Sequence, residues 1–406
     1  MNLVNSFTLN NTKYIIEDTL QNNFYVGIKI INNEYHLYFP IGFEIKDNND
    51  KYNKKILKYL YKTVLLTKGI NEEKYKDKSD KENKTIPIQS YLYILSDYFT
   101  NGLYSCIEKK YKKDRRGKIN WKKTFQNNFY NQNNNVLYLD TVIEYNKRET
   151  NIISLLQLYC VNKAIDVLIF LGDYSKPYSE LTDKDINNNI EYYNNIIEKE
   201  LKYTNQDKKK LLLSNIKNIL NDCCDSEKNT RSFGTLSYQY AFEKMIDNLF
   251  SNQKDISKFY PTALWQIDDD EEFESSKLRE DTIWIGEKEA YVIDSKYYRY
   301  GVEQLNSLLP NTKTIYKQMV YGEYVKKELA KEKDYKVYNI FIVPSNQNEF
   351  IQYKGKAKMK LLERNQTYDE IYLCLINMNE VIDRYFEKKC NSIQKLISVI
   401  EKHRKR

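Results

Sequence analysis

The stretch Ala290-Tyr291-Val292-Ile293-Asp294-Ser295-Lys296 decides the local fold of this chain and carries its clearest chemical signal. Its first four residues are apolar and predict a buried β-strand. Side chains two residues apart on a strand point to the same face, so Asp294 and Lys296 would project together from the strand end. Other acid–x–Lys triplets in the chain lie in polar or basic surroundings, which sets this one apart.

A second apolar stretch, Thr282-Ile283-Trp284-Ile285, precedes the first, and Gly286-Glu287-Lys288 between them predicts a hairpin turn. Asp281 stands directly before this strand, so the hairpin can bring it to the same end of the sheet as Asp294. Two carboxylates at one site suit Mg²⁺. A lysine beside them could position or activate a water and offset charge on a phosphate. The alternative is a hairpin end with solvated Asp and Lys side chains.

Glu243 is a third carboxylate of interest. It lies on a helix predicted over residues 235–250, one heptad from both Leu236 and Phe250, and so falls within the apolar arc of that helix. A carboxylate on a buried stripe is costly unless it is paired or metal-bound. The alternative is an edge position from which the side chain reaches solvent.

The pattern after residue 231 predicts a compact α/β domain, with a mixed-sheet core in the C-terminal half of the chain. The predicted elements are a helix at 235–250, strands at 263–267, 282–285 and 290–296, a helix at 313–330, strands at 337–343 and 371–376, and a helix at 379–388.

Residues 1–222 predict a separate α+β N-terminal domain, which is a candidate for DNA binding, for docking a partner, or for both. Short strands are predicted at 24–30 and 34–39, followed by helical patterns. The charged stretch 222–230 marks the predicted boundary, and the second domain spans 231–406.

Composition narrows the class of protein. The 11 glycines and 6 prolines argue against an extended disordered chain. No apolar run is long enough to span a bilayer, and the first residues lack the pattern of a secretion signal, so we expect a cytoplasmic protein without membrane contact. The six cysteines form no C-x-x-C pair, and with two histidines there is no zinc-finger spacing.

The net charge of +8 is concentrated most clearly in residues 109–123, where nine basic residues face one acid, Asp114. Tyr111 and Trp121 are interleaved with the basic residues. Such a segment can neutralise phosphates and stack on sugars or bases, so it predicts a contact with double-stranded DNA. The alternative is a solvated, lysine-rich loop. The predicted DNA-binding residues are Lys109, Lys110, Lys112, Lys113, Arg115, Arg116, Lys118, Trp121, Lys122 and Lys123.

Two absences restrict the chemistry further. His36 and His403 are the only histidines, and neither has the neighbours of a Ser–His–Asp triad or a HExxH site. No two glycines are five residues apart, so the phosphate-binding loop of P-loop nucleotide hydrolases is absent. Carboxylates and lysine must therefore carry any catalysis.

Two segments around these residues resemble the catalytic stretch of LlaJI-type restriction endonucleases. They are Leu278-Arg279-Glu280-Asp281-Thr282-Ile283 and Ile293-Asp294-Ser295-Lys296-Tyr297-Tyr298-Arg299-Tyr300-Gly301. That family belongs to the PD-(D/E)XK nucleases and is distantly related to McrC. The stretches Phe39-Pro40-Ile41-Gly42, Gly117-Lys118-Ile119-Asn120-Trp121-Lys122-Lys123-Thr124, Phe242-Glu243-Lys244-Met245 and Lys317-Gln318-Met319-Val320-Tyr321-Gly322-Glu323-Tyr324 resemble the same family.

The resemblance implies a restriction-endonuclease-like fold and a role for each candidate residue. Asp281 and Asp294 would be ligands of Mg²⁺, and Lys296 would be the catalytic lysine. Glu243 would be the helix carboxylate that completes the metal site, and Gln318 would be a supporting polar residue of the catalytic set. Glu280 stands where the family motif usually has proline, but the metal ligand is retained, so we expect activity to survive.

The main hypothesis is therefore a restriction endonuclease subunit that cleaves double-stranded DNA with Mg²⁺, together with an McrB-like GTPase partner that the resemblance suggests. A second hypothesis is a self-sufficient homodimeric restriction enzyme. A third is a DNA-binding protein whose nuclease fold has lost catalysis. The intact set of Asp281, Asp294 and Lys296 weighs against the third.

Overall fold

The structure is a computed structural model of the whole chain. It describes residues 6–9, 12–21, 24–32, 34–67, 84–104, 106–127, 129–132, 135–138, 140–149, 151–168, 172, 174–224, 230–253, 255–266, 272–275, 277, 281–331, 334–359, 370–389 and 391–404.

Strands and helices follow one another in mixed order along the described part of the chain. The strands are β1 (Ser6–Leu9), β2 (Thr12–Glu17), β3 (Val26–Ile31), β4 (Glu34–Tyr38), β5 (Lys84–Thr85), β6 (Cys106–Lys113), β7 (Lys118–Ile119), β8 (Phe129–Gln132), β9 (Asn135–Tyr138), β10 (Val142–Glu149), β11 (Arg231–Thr235), β12 (Leu264–Trp265), β13 (Phe273–Glu274), β14 (Thr282–Ile285), β15 (Glu289–Ser295), β16 (Lys336–Ser345), β17 (Ile351–Ala357) and β18 (Ile371–Asn377). The helices are α1 (Asp50–Thr67), α2 (Ile88–Asn101), α3 (Trp121–Asn127), α4 (Ile152–Val167), α5 (Asp183–Tyr203), α6 (Asp207–Cys224), α7 (Gln239–Phe250), α8 (Tyr300–Glu303), α9 (Thr312–Ala330), α10 (Met378–Glu387) and α11 (Ser392–Arg404).

The chain divides into two compact units. The first combines residues 1–84 with 230–406, and the second is residues 85–229. This grouping differs from the division at 222–231 that the sequence pattern predicts, because the N-terminal strands pair with the chain that follows residue 230. Strand β3 pairs antiparallel with β11, so that Ile28 faces Phe233. The unit of residues 85–229 is an insertion into the first.

A five-stranded mixed sheet forms the centre of the first unit and confirms the predicted α/β fold. Its strand order is β14-β15-β16-β18-β17. Strands β14 and β15 are the predicted hairpin, β15, β16 and β18 run parallel, and β17 returns antiparallel to β18. The edge strand β17 and helix α11 were not predicted from the sequence. In β17, lysine and glycine interrupt the apolar pattern, as is common on edge strands.

Helices pack against the apolar side chains of this sheet. Helix α9 packs Tyr321 and Val325 against Ile283 and Val292 of the hairpin. A second cluster joins Met319 of α9 to residues of β16 and β18. Helix α7 packs against β14 and β15. The two central parallel strands are therefore almost continuously buried, as their unbroken apolar sequences predict.

A six-stranded sheet of the first unit is built mainly from the N-terminal strands, in the order β1-β2-β4-β3-β11-β5, and β12 pairs with β13 in a separate two-stranded sheet. Residues 231–235, which the sequence pattern placed partly at the start of a helix, form β11, and α7 begins at Gln239. The side chain of Phe233 is 1% exposed. Pairing with β3 extends this strand through Thr235, so the helix begins at Gln239 rather than at the predicted residue 235.

The second unit contains helices and two small sheets. Helices α2, α4, α5 and α6 pack on one another. The basic segment predicted to bind DNA forms β6, the turn after it, β7 and α3. Strands β6 and β7 both pair with β10. Within the described part of the chain, no helix is both long and apolar enough to cross a membrane.

Gly301 in α8 allows a close backbone approach that supports the end of the central sheet. A Cβ atom at this position would lie 2.0 Å from the carbonyl oxygen of Pro344 at the end of β16. Replacing Gly301 by alanine should therefore lower the free energy of unfolding by about 2 kcal/mol, measured by urea denaturation. The matched control is Gly355→Ala on β17, where an added Cβ meets nothing within 4 Å. This control should change stability by less than about 0.5 kcal/mol, and equal effects of the two substitutions would contradict the close approach.

Candidate active site

The β14–β15 hairpin brings Asp281 beside Asp294. Its antiparallel register pairs Thr282 with Ile293, which places the residue before β14 next to the end of β15. The backbone N–H of Ser295 donates a hydrogen bond of 2.9 Å to Oδ2 of Asp281. Asp281 also shares a side-chain hydrogen bond with Asp294. The two carboxylates that the sequence singled out therefore meet at one end of the central sheet.

Lys296 lies beside the same pair. Its Nζ donates to Oδ1 of Asp294 at 2.6 Å, and the two side chains are 19% and 10% exposed. The backbone N–H of Lys296 donates to the carbonyl oxygen of Ile342 on β16 at 2.8 Å, which extends the parallel pairing beyond the end of β15. The expected projection of Asp294 and Lys296 from one strand end agrees with this contact.

Glu243 faces the cluster from helix α7. Its pKa is raised to about 7, mainly by burial; the positive charge of Lys296 opposes this shift and the negative charge of Asp294 adds to it. The carboxylate of Glu243 therefore interacts electrostatically with Asp294 and Lys296 at the end of β15. The apolar arc of the helix predicted this inward direction.

The cluster carries more negative than positive charge. The pKa of Asp281 is raised to about 8, first by burial and then by the charges of Asp294 and Glu243, while the hydrogen bond from the N–H of Ser295 lowers it. Three carboxylates thus share a partly buried space with the ammonium group of Lys296. Buried like charges are costly, so the arrangement favours either a bound proton or an added cation.

The oxygen donors of the cluster fit a divalent cation. Among the described residues, no set of three or more His, Cys, Asp and Glu side chains is arranged as a complete metal-binding group. Mg²⁺ does not need such a set, because it is commonly bound by one or two carboxylates, with water and phosphate oxygens as the other ligands. The adjacent carboxylates of Asp281 and Asp294 meet that requirement.

Gln318 has a different position from the other candidates. Its side chain is fully buried on α9, and Nε2 donates to the carbonyl oxygen of Val292 at 2.9 Å. That carbonyl lies two residues before Asp294 on β15. Oε1 of Gln318 has no hydrogen-bond partner within the described structure. Gln318 therefore ties α9 to the strand that carries Asp294, through a hydrogen bond to backbone rather than to the carboxylates.

A cavity of about 510 Å³ opens beside the cluster. Helix α7 and the segment that follows β15 supply much of its lining, which includes Gln239, Glu243, Ser295, Lys296, Tyr298 and Arg299. Gln239, Tyr298 and Arg299 were not predicted as site residues from the sequence. Tyr298 and Arg299 lie within the family motif 293–301. They follow the acid–x–Lys triplet 294–296, so that pattern did not mark them as site residues.

Tyr297 links the site to the N-terminal part of the chain. Its hydroxyl oxygen accepts a hydrogen bond of 2.8 Å from the backbone N–H of Ile41. Its ring packs against Tyr238 and Phe242 at the start of α7. Burial raises the pKa of the Tyr297 hydroxyl well above its usual range, so it remains a neutral donor and acceptor. The residue after the lysine thus holds the strand end, α7 and the segment around residue 41 together.

The basic segment lies in the second unit and presents many of its side chains to solvent. Lys112, Lys113, Arg115, Arg116, Lys118, Trp121 and Lys122 are exposed, and Lys123 is half-buried. Nζ of Lys123 lies 3.3 Å from the centroid of the Tyr111 ring. Lys112 pairs with Asp114 at 2.7 Å. The backbone of Lys109 and Lys110 belongs to β6, whereas their side chains lie outside what the structure describes.

Trp121 and Phe125 add exposed aromatic surface to this segment. Their rings lie on α3 with centroids 5.9 Å apart, and each side chain is 50% exposed. Phe125 was not among the residues predicted to bind DNA, although its spacing of four from Trp121 on a helix places both on one face.

Glu280, where the family motif has proline, lies outside the described residues.

Comparisons with known proteins identify the family to which this chain is similar. A sequence model of the LlaJI restriction endonuclease family matches residues 25–405. No curated protein matches the chain. A solved chain from a refined half-complex of the tetradecameric assembly of Thermococcus gammatolerans McrB AAA+ hexamers with bound McrC is similar at 12% identity and a TM-score of 0.33, covering 90% of this chain and 82% of the other. A TM-score at this level does not establish a shared fold.

The raised pKa of Asp281 predicts how stability depends on pH without a divalent cation. Between about pH 4 and about pH 8 the folded protein retains a proton that the unfolded chain has lost, so stability should fall as pH rises through this window. The melting temperature in EDTA should drop by about 4 °C or more from pH 5 to pH 8, and Asp281→Asn should reduce this drop. Mg²⁺ should raise the melting temperature more at pH 8 than at pH 5.

Asp255→Asn is the control for this experiment. Hydrogen bonds from Ser257 lower the pKa of Asp255, so Asp255 titrates below the window and its substitution should leave the slope unchanged. A wild-type melting temperature that rises with pH across the window would contradict the prediction.

Proposed function

The chain belongs to the LlaJI restriction endonuclease family, and we propose that it hydrolyses phosphodiester bonds of double-stranded DNA with Mg²⁺ at a site of the PD-(D/E)XK type. The observation that carries this proposal is the meeting of Asp281, Asp294, Lys296 and Glu243 at the end of β15, beside an open cavity. We further propose that the protein acts in the cytoplasm against foreign DNA.

Asp281 and Asp294 would hold the cation in this mechanism. A bound divalent cation supplies Lewis-acid polarisation of the scissile phosphate. The N–H of Ser295 orients Asp281 and the ammonium group of Lys296 orients Asp294, so both carboxylates are directed before substrate arrives. In the proposed role of Glu243 as a third ligand, its raised pKa means that it releases a proton when the cation binds.

Lys296 would act on the attacking water and on the phosphate. Its position beside Asp294 suits it to hold a water in line with the phosphorus and to offset the added negative charge in the transition state. The water oxygen loses a proton to solvent and forms a new bond to phosphorus, the bond to the leaving deoxyribose oxygen breaks, and that oxygen takes up a proton from solvent. Gln318 would support this step indirectly, because it fixes the carbonyl of Val292 and thereby the path of β15.

The basic segment would supply much of the sequence-independent affinity for DNA. Its exposed lysine and arginine side chains can neutralise several phosphates, and Trp121 offers a ring that can stack on a sugar or base. These contacts position the duplex, whereas recognition of a base sequence requires contacts to base edges.

We also propose a nucleotide-hydrolysing partner, an McrB-like GTPase. The support is the family's relation to McrC, together with the lack in this chain of glycines spaced for a phosphate-binding loop. The alternative is a homodimer that cleaves without a partner. Efficient double-strand cleavage by the purified chain with Mg²⁺ alone would favour that alternative.

Substitutions in the cluster should separate cleavage from binding. Asp294→Asn and Lys296→Ala should each lower the rate of Mg²⁺-dependent cleavage by about 10³-fold or more, because each removes a group that acts on the reacting phosphate or on the cation. DNA affinity should stay close to that of the wild type, and both variants should remain folded at the assay temperature. The assay is cleavage of plasmid DNA with Mg²⁺, with and without the GTPase partner. The control is Lys288→Ala, which removes an exposed lysine from the turn of the same hairpin.

Retained cleavage by either folded variant would refute this assignment of the site. Failure of the wild-type chain to cleave under all these conditions, while it still binds DNA, would favour the hypothesis of an inactive DNA-binding protein.

The basic segment should control the salt dependence of DNA binding. Replacing Lys113, Arg115 and Arg116 by alanine should weaken binding and reduce the slope of log affinity against log salt by about 2 to 3, since each lost phosphate contact removes about 0.9. The control removes the same charge from exposed residues of α5, namely Lys184, Lys199 and Lys202. An equal effect of the two triple substitutions would mean that net charge alone, and not this segment, determines the affinity.

A further inference from the structure

Arg299 lines the cavity of the candidate active site but has no part in the mechanism above. Arg299 lines the same cavity as Lys296 and Glu243 and follows the lysine by three residues in the chain. Its side chain is 36% exposed. A cation in this place requires an explanation, because the cavity is where the DNA backbone would have to enter.

The backbone holds Arg299 in a fixed place relative to Lys296. The carbonyl oxygen of Arg299 accepts hydrogen bonds from the N–H groups of Val302 and Glu303, both at 2.9 Å, so it begins the turn of α8. Gly301 in this turn touches the backbone of Pro344 so closely that no side chain fits. The lysine itself is hydrogen-bonded to Ile342 on the same strand, β16. The two cations are thus carried by one short segment with both ends attached to β16.

The charges of the site distinguish the two cations. Lys296 is bonded to Asp294 at 2.6 Å and so belongs to the carboxylate cluster. Arg299 pairs with Glu303, Nη1 to Oε1 at 3.3 Å, and its guanidinium carbon lies 5.6 Å from the centroid of the Phe24 ring. That ion pair is longer than the usual 2.7–2.9 Å of a strong charge-assisted hydrogen bond. Partly exposed pairs of this kind contribute little, so a phosphate can replace Glu303 at small cost.

We propose that Arg299 binds a backbone phosphate of the DNA next to the phosphate that is cleaved, and that it forms an anion subsite in the active-site cavity. The proposal rests on the proposed nuclease function for its substrate. A guanidinium group can donate two parallel hydrogen bonds to two phosphate oxygens, which fixes the orientation of the strand as well as its position. The subsite offsets the repulsion between the DNA and the carboxylates of Asp281, Asp294 and Glu243.

The test measures DNA binding without cleavage. A fluorescent duplex is titrated with the full-length chain in EDTA at several salt concentrations, and anisotropy gives the dissociation constant and its salt slope. Arg299→Ala should weaken binding about tenfold, the effect of losing one charge-assisted contact, and should reduce the slope by about 1. Arg299→Lys should keep the slope, because the charge remains, and should lose part of the affinity because the two-pronged contact is gone. Glu303→Gln should strengthen binding, because it releases Arg299 from its ion pair.

Arg404→Ala is the matched control, because Arg404 makes a comparable ion pair with Glu289, at 3.4 Å, away from the cavity lining. It should change neither affinity nor slope. Equal behaviour of Arg299→Ala and Arg404→Ala overturns the proposal, as does an unchanged affinity in Arg299→Lys and Glu303→Gln. Absence of DNA binding by the wild-type chain also overturns it.

The nuclease function is tested separately by cleavage with Mg²⁺. If the wild type cleaves DNA but Arg299→Ala binds with an unchanged slope, the subsite is wrong and the nuclease stands. If the chain does not cleave with or without the GTPase partner, but Arg299→Ala and Arg299→Lys behave as stated, then Arg299 binds a backbone phosphate and the nuclease function fails.

Discussion

The structure around the candidate site depends on one constraint, the antiparallel register of the β14–β15 hairpin. Pairing of Thr282 with Ile293 puts Asp281 next to Asp294. It also lets the backbone N–H of Ser295 donate a hydrogen bond to Asp281. A shift by one residue would turn every side chain to the opposite face. Ile283 and Val292 would then leave the core, and the carboxylates would separate. The hydrophobic packing and the charged cluster therefore require the same register.

The rest of the first unit supports this strand end. Helix α9 fixes β15 through the hydrogen bond from Gln318 to Val292, and α7 contributes Glu243. Tyr297 connects the site to the segment around residue 41. These supporting contacts matter because reacting groups must be held within a fraction of an ångström of the productive geometry to be effective. They also explain why the N-terminal strands belong to the same compact unit as the sheet that carries the site.

The cost of burying three carboxylates near one another is part of how the site would work. The raised pKa values of Asp281 and Glu243 reflect that cost, and burial is the main cause of both. Packing of the hairpin offsets it in the absence of a cation, since Ile283, Val292 and Ile293 are fully buried. A cation that binds at such a site relieves the repulsion between the carboxylates, and this relief favours its binding.

Local patterns in the sequence determined the hairpin, the α/β class and the inward direction of Glu243, because alternation and helical period depend on near neighbours in the chain. The same patterns, together with the family motifs, identified Asp281, Asp294 and Lys296. Only the tertiary structure decided that residues 1–84 join 230–406, that residues 231–235 form a strand, and that Arg299 shares a cavity with Glu243. These outcomes rest on contacts between residues far apart in the chain, such as β3 with β11 and Gly301 with Pro344. Local propensity carries no information about such contacts, because each depends on what the rest of the fold brings to the same place.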